Sequence, residues 1–357
     1  MVIYIDKTIG QHCKGKRLTE QEEALFSELA VAHRNGYCFL CGDFISIEYL
    51  MSNTSGLIKS QYKKVYSHLS ELRAIMAEVE QILVISYQDA PLVPQFMVNK
   101  ARLIKVQDAL GFRLGAQCTL LGENLVDCRF YQLIASWYMH SRRIKGVETS
   151  FHEEQGGGNT TGDVFKKCFL VDRVPTLCIV DNDIKFGKTK EYPQPPALGD
   201  TAKKAIDAFA EISKQCSLPL FDLYCLPVHE AENLLPTNLL VQLSVNPNAM
   251  MVFIRKLSKI SNGEPILYYD FKEGDKRIKK NQAIQYWLGI AEITGESQFP
   301  CLINSALDRA LVSLEEKDSS GIPRIHNTVV DSHLVALWNT IGKKVFSWGC
   351  SSPVTRS

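Results

Sequence analysis

The pattern of apolar and polar positions changes twice along the chain and predicts three regions. Residues 116–236 alternate short apolar runs with stretches of helical spacing, which is typical of βαβ units and a parallel sheet. Residues 1–115 are predicted to form a mixed, mainly helical lobe, and residues 237–357 a mainly helical C-terminal region. The predicted fold is therefore α/β, with a central parallel sheet flanked by helices and by a lobe on either side.

The same pattern predicts the elements of the first region. An apolar strand at Val2–Ile5 precedes a helix that Thr19 is expected to cap, because Glu22 lies three residues further on. The other predicted elements there are a short strand at Tyr37–Leu40 and two long helices, Leu57–Val84 and Phe96–Leu110.

The two later regions differ in their balance of strands and helices. The predicted central strands are Thr119–Leu121, Val147–Phe151, Thr176–Val180 and Asp222–Val228. The predicted central helices are Leu125–Met139, Gly162–Leu170 and one that opens at Gly199–Thr201 and ends near Cys216. The C-terminal region is predicted to contain an extended piece at Pro265–Tyr269 and helices near Thr237–Leu243, Ala249–Ile260, Gln282–Ile293, Ser305–Leu314 and His333–Val345.

Composition and charge narrow the class of protein. Hydrophobic residues make up 45% of the 357 residues and charged residues 22%, which excludes a disordered or fibrous chain. The formal net charge is +1, so binding of nucleic acid through global basicity is excluded and local patches would be needed. The 11 cysteines are scattered without a framework, which predicts reduced thiols in a cytoplasmic protein. The sequence predicts neither a membrane span nor a secretory signal.

Acidic residues follow three of the predicted central strands. Glu123 follows the first strand, Asp181 and Asp183 follow the third, and Glu230 and Glu232 follow the fourth. Because ligands of an open parallel sheet bind at the carboxyl ends of its strands, these carboxylates are expected to meet at one edge. Such a cluster repels itself unless a hard cation such as Mg²⁺ is bound, and Mg²⁺ also binds phosphates. The pattern predicts metal-assisted displacement at phosphorus, although each acid alone is also typical of a helix N-cap or a turn.

The order of these motifs resembles that of the Toprim domain, in the form found in overcoming-lysogenization-defect (OLD) nucleases and their anti-phage defence relatives. A strand that ends in Glu123, with Asp127 four positions later, is similar to the first Toprim motif. Asn124 departs from the Gly that usually follows the Glu. Asp181 and Asp183 match the Asp-x-Asp motif of the family. Two further elements are similar, the glycine-rich turn at residues 154–159 and Glu232-Asn233-Leu234-Leu235.

The resemblance implies metal-dependent cleavage of a nucleic-acid backbone. Glu123 and the two aspartates would hold Mg²⁺, which Mn²⁺ could replace. Asp127 and Glu232 would form a second ion position, and Asn233 would orient its neighbours by hydrogen bonding. Relatives also place a lysine near the phosphate, for which Lys272 is the best candidate here, with competing candidates at Lys185, Lys188 and Lys190.

Local basic clusters are candidates for holding the substrate backbone. Arg142 and Arg143, together with Lys185, are the assigned substrate-binding residues. Further clusters are Lys166 with Lys167, and Lys276 with Arg277, Lys279 and Lys280.

The leading hypothesis is a Mg²⁺-dependent nuclease that acts on DNA or RNA, tRNA included, in bacterial anti-phage defence. The defence proteins that this chain resembles often work beside an ABC-type ATPase. The chain has no Walker motif of its own, so the resemblance implies an ATPase partner that is encoded separately. Two alternatives stay open, as does the oligomeric state. A PIN-like ribonuclease would place the metal at Asp6 and Asp43, and a non-catalytic sensor would use a decayed Toprim scaffold to bind a phage component.

Overall fold

Four parallel strands near the N-terminus form the first sheet. The structure is a computed structural model, and it describes residues 1–12, 17–69, 72–186, 197–274, 283–295 and 299–354. The strands are β1 (Val2–Ile5), β2 (Phe39–Gly42), β3 (Ile82–Ser86) and β4 (Ala101–Lys105), in the order β2-β1-β3-β4. The first three are buried along their whole length, as continuous apolar runs of parallel sheets usually are.

Short helices connect and cover this sheet. They are α1 (Lys7–His12), α2 (Glu20–Arg34), α3 (Phe44–Asn53), α4 (Gly56–His68), α5 (Leu72–Glu78) and α6 (Val106–Ala109). The predicted start of α2 is confirmed, because the Thr19 hydroxyl accepts the Glu22 N–H and Glu22 accepts the Thr19 N–H. This reciprocal pair satisfies backbone donors that the first helical turn would otherwise leave without partners.

Two predictions for this region are wrong. Leu57–Val84 is not a single helix, because α4 and α5 are followed by β3. Phe96–Leu110 is not a helix either, because β4 occupies its centre. Both segments contain short apolar runs, and such runs carry too little periodicity to distinguish a buried strand from a helix. The first region is thus mixed, but with a complete parallel sheet that the pattern did not predict.

The predicted central parallel sheet is present. Its strands are β5 (Thr119–Gly122), β7 (His152–Gln155), β8 (Thr176–Val180) and β9 (Phe221–Cys225), all parallel, in the order β7-β5-β8-β9. The helices around it are α7 (Leu125–Ser141), α8 (Thr161–Lys166) and α9 (Asp200–Gln215). The chain is therefore an α/β protein with parallel sheets flanked by helices.

Two central strands are displaced from their predicted positions. The second was predicted at Val147–Phe151, but β7 begins at His152 and consists of polar residues on a sheet edge, which an apolar pattern does not detect. A two-residue strand, β6 (Glu148–Thr149), pairs antiparallel with β10 (Cys350–Ser351) instead. The fourth strand ends at Cys225, because the chain turns away after Leu226 donates its N–H to Val180.

The C-terminal region packs against the central sheet. Its helices are α10 (Thr237–Gln242), α11 (Pro247–Leu257), α12 (Ala283–Thr294), α13 (Ala306–Glu315), α14 (Arg324–Asn327) and α15 (Ser332–Gly349). The prediction of an extended piece at Pro265–Tyr269 is wrong, because Ser261–Tyr268 forms 3₁₀ turns. The helical turns are interrupted by a kink at Asn262 and Gly263, where both φ angles are positive. The sequence pattern did not indicate this kink.

Helix α15 fixes the segment that follows β9. It packs along α7, where the Trp338 ring lies edge-on to Trp137 at 5.3 Å between centroids. Gly342 allows this close approach, because a Cβ atom there would overlap the Tyr138 side chain. Trp338 Nε1 also donates a hydrogen bond to the Leu234 carbonyl at 2.9 Å. No helix among the described residues is both long enough and apolar enough to span a bilayer.

Candidate functional site

Sheet topology brings the acidic residues of the central region to one edge. Strands β5, β8 and β9 are adjacent and parallel, so their carboxyl ends share an edge. Glu123 directly follows β5 and Asp181 directly follows β8. The Asp181 N–H donates to Glu123 Oε1 at 3.3 Å, so the two residues are in direct contact. The structure thus brings together residues that lie far apart in the chain.

A glycine-rich turn after β7 holds the backbone of Glu123. Gly156 N–H donates to the Gly122 carbonyl at 2.8 Å, and Gly157 N–H donates to the Glu123 carbonyl at 3.0 Å. Gly157 has a φ of 70°, in the left-handed region that favours glycine. This turn therefore positions the backbone of Glu123, the first carboxylate residue.

The Asp181-Asn182-Asp183 segment is a tight turn at the end of β8. Asn182 Oδ1 accepts the Ile184 N–H at 2.8 Å, which is the geometry of an Asx-turn. Asp183 has a φ of 55°, and its N–H donates to the His229 carbonyl at 3.0 Å. Gly199, just before α9, lies against the Asp183 side chain, and a Cβ atom there would overlap the carboxylate. The turn is thus held by two neighbouring segments.

Asp127 contributes a further buried carboxylate from the first turn of α7. Its Oδ2 atom accepts the Asn124 N–H at 3.0 Å, so part of its role is to cap the helix. The side chain is only 6% exposed and lies close enough to Asp181 to raise the pKa of that residue. Asp127 therefore both caps α7 and belongs to the acidic cluster.

A short turn after β9 carries Glu230 and Glu232, and Asn233 anchors it to the C-terminal region. Asn233 Oδ1 accepts the Glu230 N–H at 2.9 Å, and its Nδ2 donates to the carbonyls of Ile266 at 2.7 Å and Tyr269 at 2.8 Å. Asn233 is thus placed as the orienting hydrogen-bond partner that the sequence suggested.

Lys272 reaches the cluster from the C-terminal region. Its ammonium nitrogen lies 3.0 Å from Glu232 Oε2 and 3.3 Å from Glu230 Oε2. Burial alone would lower the pKa of Lys272, but the two glutamates outweigh it and the pKa is raised. The side chain is still half-exposed, which leaves the ammonium accessible from solvent.

The pKa values of four carboxylates in the cluster are raised. Burial, followed by the charges of Asp183 and Asp127, raises the pKa of Glu123 to about 7. Burial and then Asp127 and Glu123 raise the pKa of Asp181 well above its usual range. Burial also raises the pKa values of Asp127 and Glu232. Ionised carboxylates are therefore destabilised here unless a cation compensates them.

The residues present fit a divalent cation. Asp181 Oδ1 is buried and has no hydrogen-bond partner within the part of the chain that the structure describes. A buried polar atom without a partner is uncommon and calls for an unseen ligand or ion. The nearby donors are carboxylate oxygens, which are the ligands that Mg²⁺ prefers in proteins. Glu123, Asp181 and Asp183 supply such oxygens at this edge, but among the described residues they do not bring three ligand atoms within 4.8 Å of one another. These carboxylates would therefore have to move closer together to hold one ion.

The predicted substrate-binding residues lie in different places. Lys185 follows the Asp181-Asn182-Asp183 turn, and its carbonyl accepts Trp287 Nε1–H at 2.9 Å. Arg142 and Arg143 stand at the far end of α7 from Asp127, about 24 Å away along a helix of 1.5 Å rise per residue. They line a separate cavity of about 840 Å³, so the structure does not bring them to the acidic cluster.

Other sequence candidates fall outside the site or outside the described residues. Lys166 and Lys167 pair with Glu211 and Asp172 on the surface. The candidates that lie outside the described residues are Lys188, Lys190, Lys276, Arg277, Lys279 and Lys280.

The PIN-like alternative would need carboxylates that are available at the first sheet. Asp6 is fully buried, but its oxygens accept hydrogen bonds from the backbone of Lys7 and Leu92 and from the hydroxyls of Thr8 and Ser86. Asp43 accepts the Ile45 N–H and caps α3. Both acids are thus used by the fold, and no observation favours a metal at this sheet.

Sequence reasoning missed a second group beside the cluster. His229, Glu230 and Asp270 place potential ligand atoms within 4.8 Å of one another. The sequence placed Glu230 among the acids at the sheet edge, but it did not single out Asp270. A signal existed, because Asp270 lies two residues before Lys272, so a chain that delivers the lysine to the site also delivers the aspartate.

Comparisons with known proteins give no family assignment. No family model matches the chain, and no curated protein or solved structure matches it.

Proposed function

We propose that this protein is a Mg²⁺-dependent nuclease whose Toprim-like catalytic domain spans residues 116–236. The observation that carries the proposal is the buried Asp181 carboxylate at the carboxyl edge of a parallel sheet, near Glu123, Asp127 and Asp183. One of its oxygens has no hydrogen-bond partner among the residues that the structure describes. The negatively charged acids at this edge repel a phosphodiester, which is also negatively charged. A nucleic-acid substrate could therefore bind here only with cations between the carboxylates and the phosphate.

The chain would supply the ion ligands and one cationic side chain. Glu123, Asp181 and Asp183 would hold the ion, which when bound supplies Lewis-acid activation of a phosphoryl oxygen. Lys272 pairs with two glutamates, and its flexible, half-exposed stem allows the ammonium to move onto a phosphate oxygen. There it would stabilise the negative charge that develops during displacement at phosphorus.

The expected biological setting is bacterial defence against phage, with an ABC-type ATPase as partner and DNA or RNA as substrate. Co-expression with a candidate ATPase, followed by co-purification and a nuclease assay, tests the partner. Full activity of the isolated chain together with failure to recover any ATPase would reject that part of the proposal.

A cleavage assay tests the proposed activity. Plasmid and tRNA are incubated with the protein in Mg²⁺, Mn²⁺ or EDTA, and wild type is compared with Glu123→Ala. We expect metal-dependent degradation that this substitution reduces by at least about 100-fold, because a first ligand matters more than outer partners that are worth 10–100-fold. Exposed Glu48→Ala on α3 is the matched control and should retain activity. Equal cleavage by wild type and Glu123→Ala would remove the catalytic assignment.

The non-catalytic sensor has one observation in its favour, since the Lys272 ammonium contacts both Glu230 and Glu232 and offsets part of their negative charge. The same assay separates the two functions. A sensor would bind its partner while showing no cleavage in either metal.

A further inference from the structure

The His229 ring is buried beside the acidic cluster. The side chain is 0% exposed, and neither ring nitrogen has a hydrogen-bond partner among the described residues. Its backbone is fixed, because the His229 N–H donates to Leu267 at 2.8 Å and its carbonyl accepts the Asp183 N–H at 3.0 Å. Buried polar groups are normally paired, so an imidazole in this position indicates a ligand for the ring.

Two carboxylates face the same ring nitrogen. His229 Nε2 lies 3.7 Å from Glu230 Oε1 and 3.6 Å from Asp270 Oδ2. These separations exceed the 2.7–3.2 Å of an N–H···O hydrogen bond. In a tetrahedral site with metal–ligand bonds of about 2.0–2.2 Å, two neighbouring ligand atoms lie about 3.3–3.6 Å apart. The two separations from His229 Nε2 are close to this distance. The spacing therefore suits three ligands of one ion better than a hydrogen-bonded imidazolium.

We propose that His229, Glu230 and Asp270 bind one Zn²⁺ ion, with the fourth tetrahedral position left to a water molecule, at a site separate from the carboxylate centre of Glu123, Asp181 and Asp183. One imidazole nitrogen with carboxylate oxygens is a ligand set that zinc accepts. Mg²⁺ favours oxygen ligands in octahedral geometry and keeps several waters, which a fully buried histidine does not match. The proposal does not depend on nuclease activity.

Each of the two carboxylates has one oxygen close to the histidine and makes a further contact through its other oxygen. Asp270 Oδ1 accepts the Glu273 N–H at 2.9 Å, while Oδ2 faces His229. Glu230 Oε2 pairs with Lys272 at 3.3 Å, while Oε1 faces His229. Partners of this kind orient metal ligands in known sites.

An ion at this position would join the turn after β9 to the segment that carries Lys272. It would also hold the His229 backbone, to which the Asp183 N–H is bonded. The zinc would therefore stabilise the surroundings of the carboxylate centre.

The test is metal retention by the full chain. The protein is stripped with chelator, loaded with Zn²⁺ in millimolar Mg²⁺ to occupy the carboxylate centre, desalted and measured by plasma mass spectrometry. We expect wild type to retain one equivalent of zinc, His229→Gln to lose it and Asp181→Asn to keep it. Co²⁺ in place of Zn²⁺ should give wild type the visible absorption of a four-coordinate ion, and this signal should be lost in Asp270→Asn.

The matched control is His326→Gln, because His326 contacts Ser136 and stacks on His140 away from the site. It should retain the zinc equivalent. Circular dichroism of each variant shows whether it is folded, and if His229→Gln does not fold, the Asp270→Asn result decides. Wild type without retained zinc, or zinc that is lost in Asp181→Asn and kept in His229→Gln, would overturn the proposal.

Discussion

The strongest consequence of the acidic cluster is that it destabilises the metal-free protein at neutral and alkaline pH. Glu123 has a pKa of about 7 in the folded chain against an ordinary value of 4.5. Because the folded pKa is the higher one, the folded state binds this proton more tightly. The stability that protonated Glu123 contributes is present below pH 4.5 and is lost as pH rises through 7.

Substituting Glu123→Gln removes this penalty while keeping the shape of the side chain and an oxygen for the Asp181 N–H. The difference between the folded and ordinary pKa values of Glu123 corresponds to about 3 kcal/mol of lost folding stability at pH 8. Because Glu123 is only partly buried, solvent screening reduces this value, and we expect the variant to be about 1–3 kcal/mol more stable. At pH 5 most of the difference should disappear, since the wild-type carboxyl is then protonated in the folded state.

The assay is urea unfolding in EDTA at pH 5 and at pH 8, monitored by tryptophan fluorescence. Glu48→Gln carries the same substitution at an exposed position on α3 and should change stability by less than about 0.5 kcal/mol. A Glu123→Gln variant that is equally or less stable than wild type at both pH values would refute the reasoning, because it would mean that no buried repulsion exists.

Three further predictions concern neighbouring residues. Saturating Mg²⁺ should stabilise wild type at pH 8 by about 2.7 kcal/mol at 100 times Kd, and thermal unfolding of Asp181→Asn should show a much smaller gain. Gly199→Ala should weaken Mg²⁺ binding in calorimetry, since its Cβ would displace the Asp183 carboxylate; unchanged affinity would contradict the described turn. Asn233→Ala should lower the free energy of unfolding by about 2–5 kcal/mol, because it leaves the Ile266 and Tyr269 carbonyls without their donor, and a loss below about 1 kcal/mol would contradict this role.

The lysine assignment has its own kinetic prediction. Lys272→Met should reduce the cleavage rate by about 100-fold or more, as expected for loss of a group that stabilises transition-state charge. Lys203→Met, at an exposed position of α9, is the matched control and should change the rate little. Similar rates for Lys272→Met and wild type would remove Lys272 from the mechanism.

The central sheet and part of the site could be predicted because their signals are local. A strand such as Thr176–Val180 is a buried apolar run bounded by turn residues, and acids at strand ends reveal a shared edge once parallel pairing is assumed. Two strands of the first sheet, Ile82–Ser86 and Ala101–Lys105, were missed because a short apolar run looks the same whether it forms a strand or part of a helix.

Contacts that depend on tertiary packing could not be predicted in the same way. Sequence clustering placed Arg142 near the site, although the length of α7 separates it from Asp127. The partners of His229 depend on how the segment around Asp270 folds back onto the turn after β9, and nothing local encodes that contact.

Anomalous diffraction from crystals soaked in Mn²⁺ tests most directly whether the acidic edge is a cation site. We expect a peak bounded by the side chains of Glu123, Asp181 and Asp183, with Asp181 Oδ1 among its ligands. A map with no peak at this edge, in which Asp181 Oδ1 is paired with a protein donor, would contradict the account.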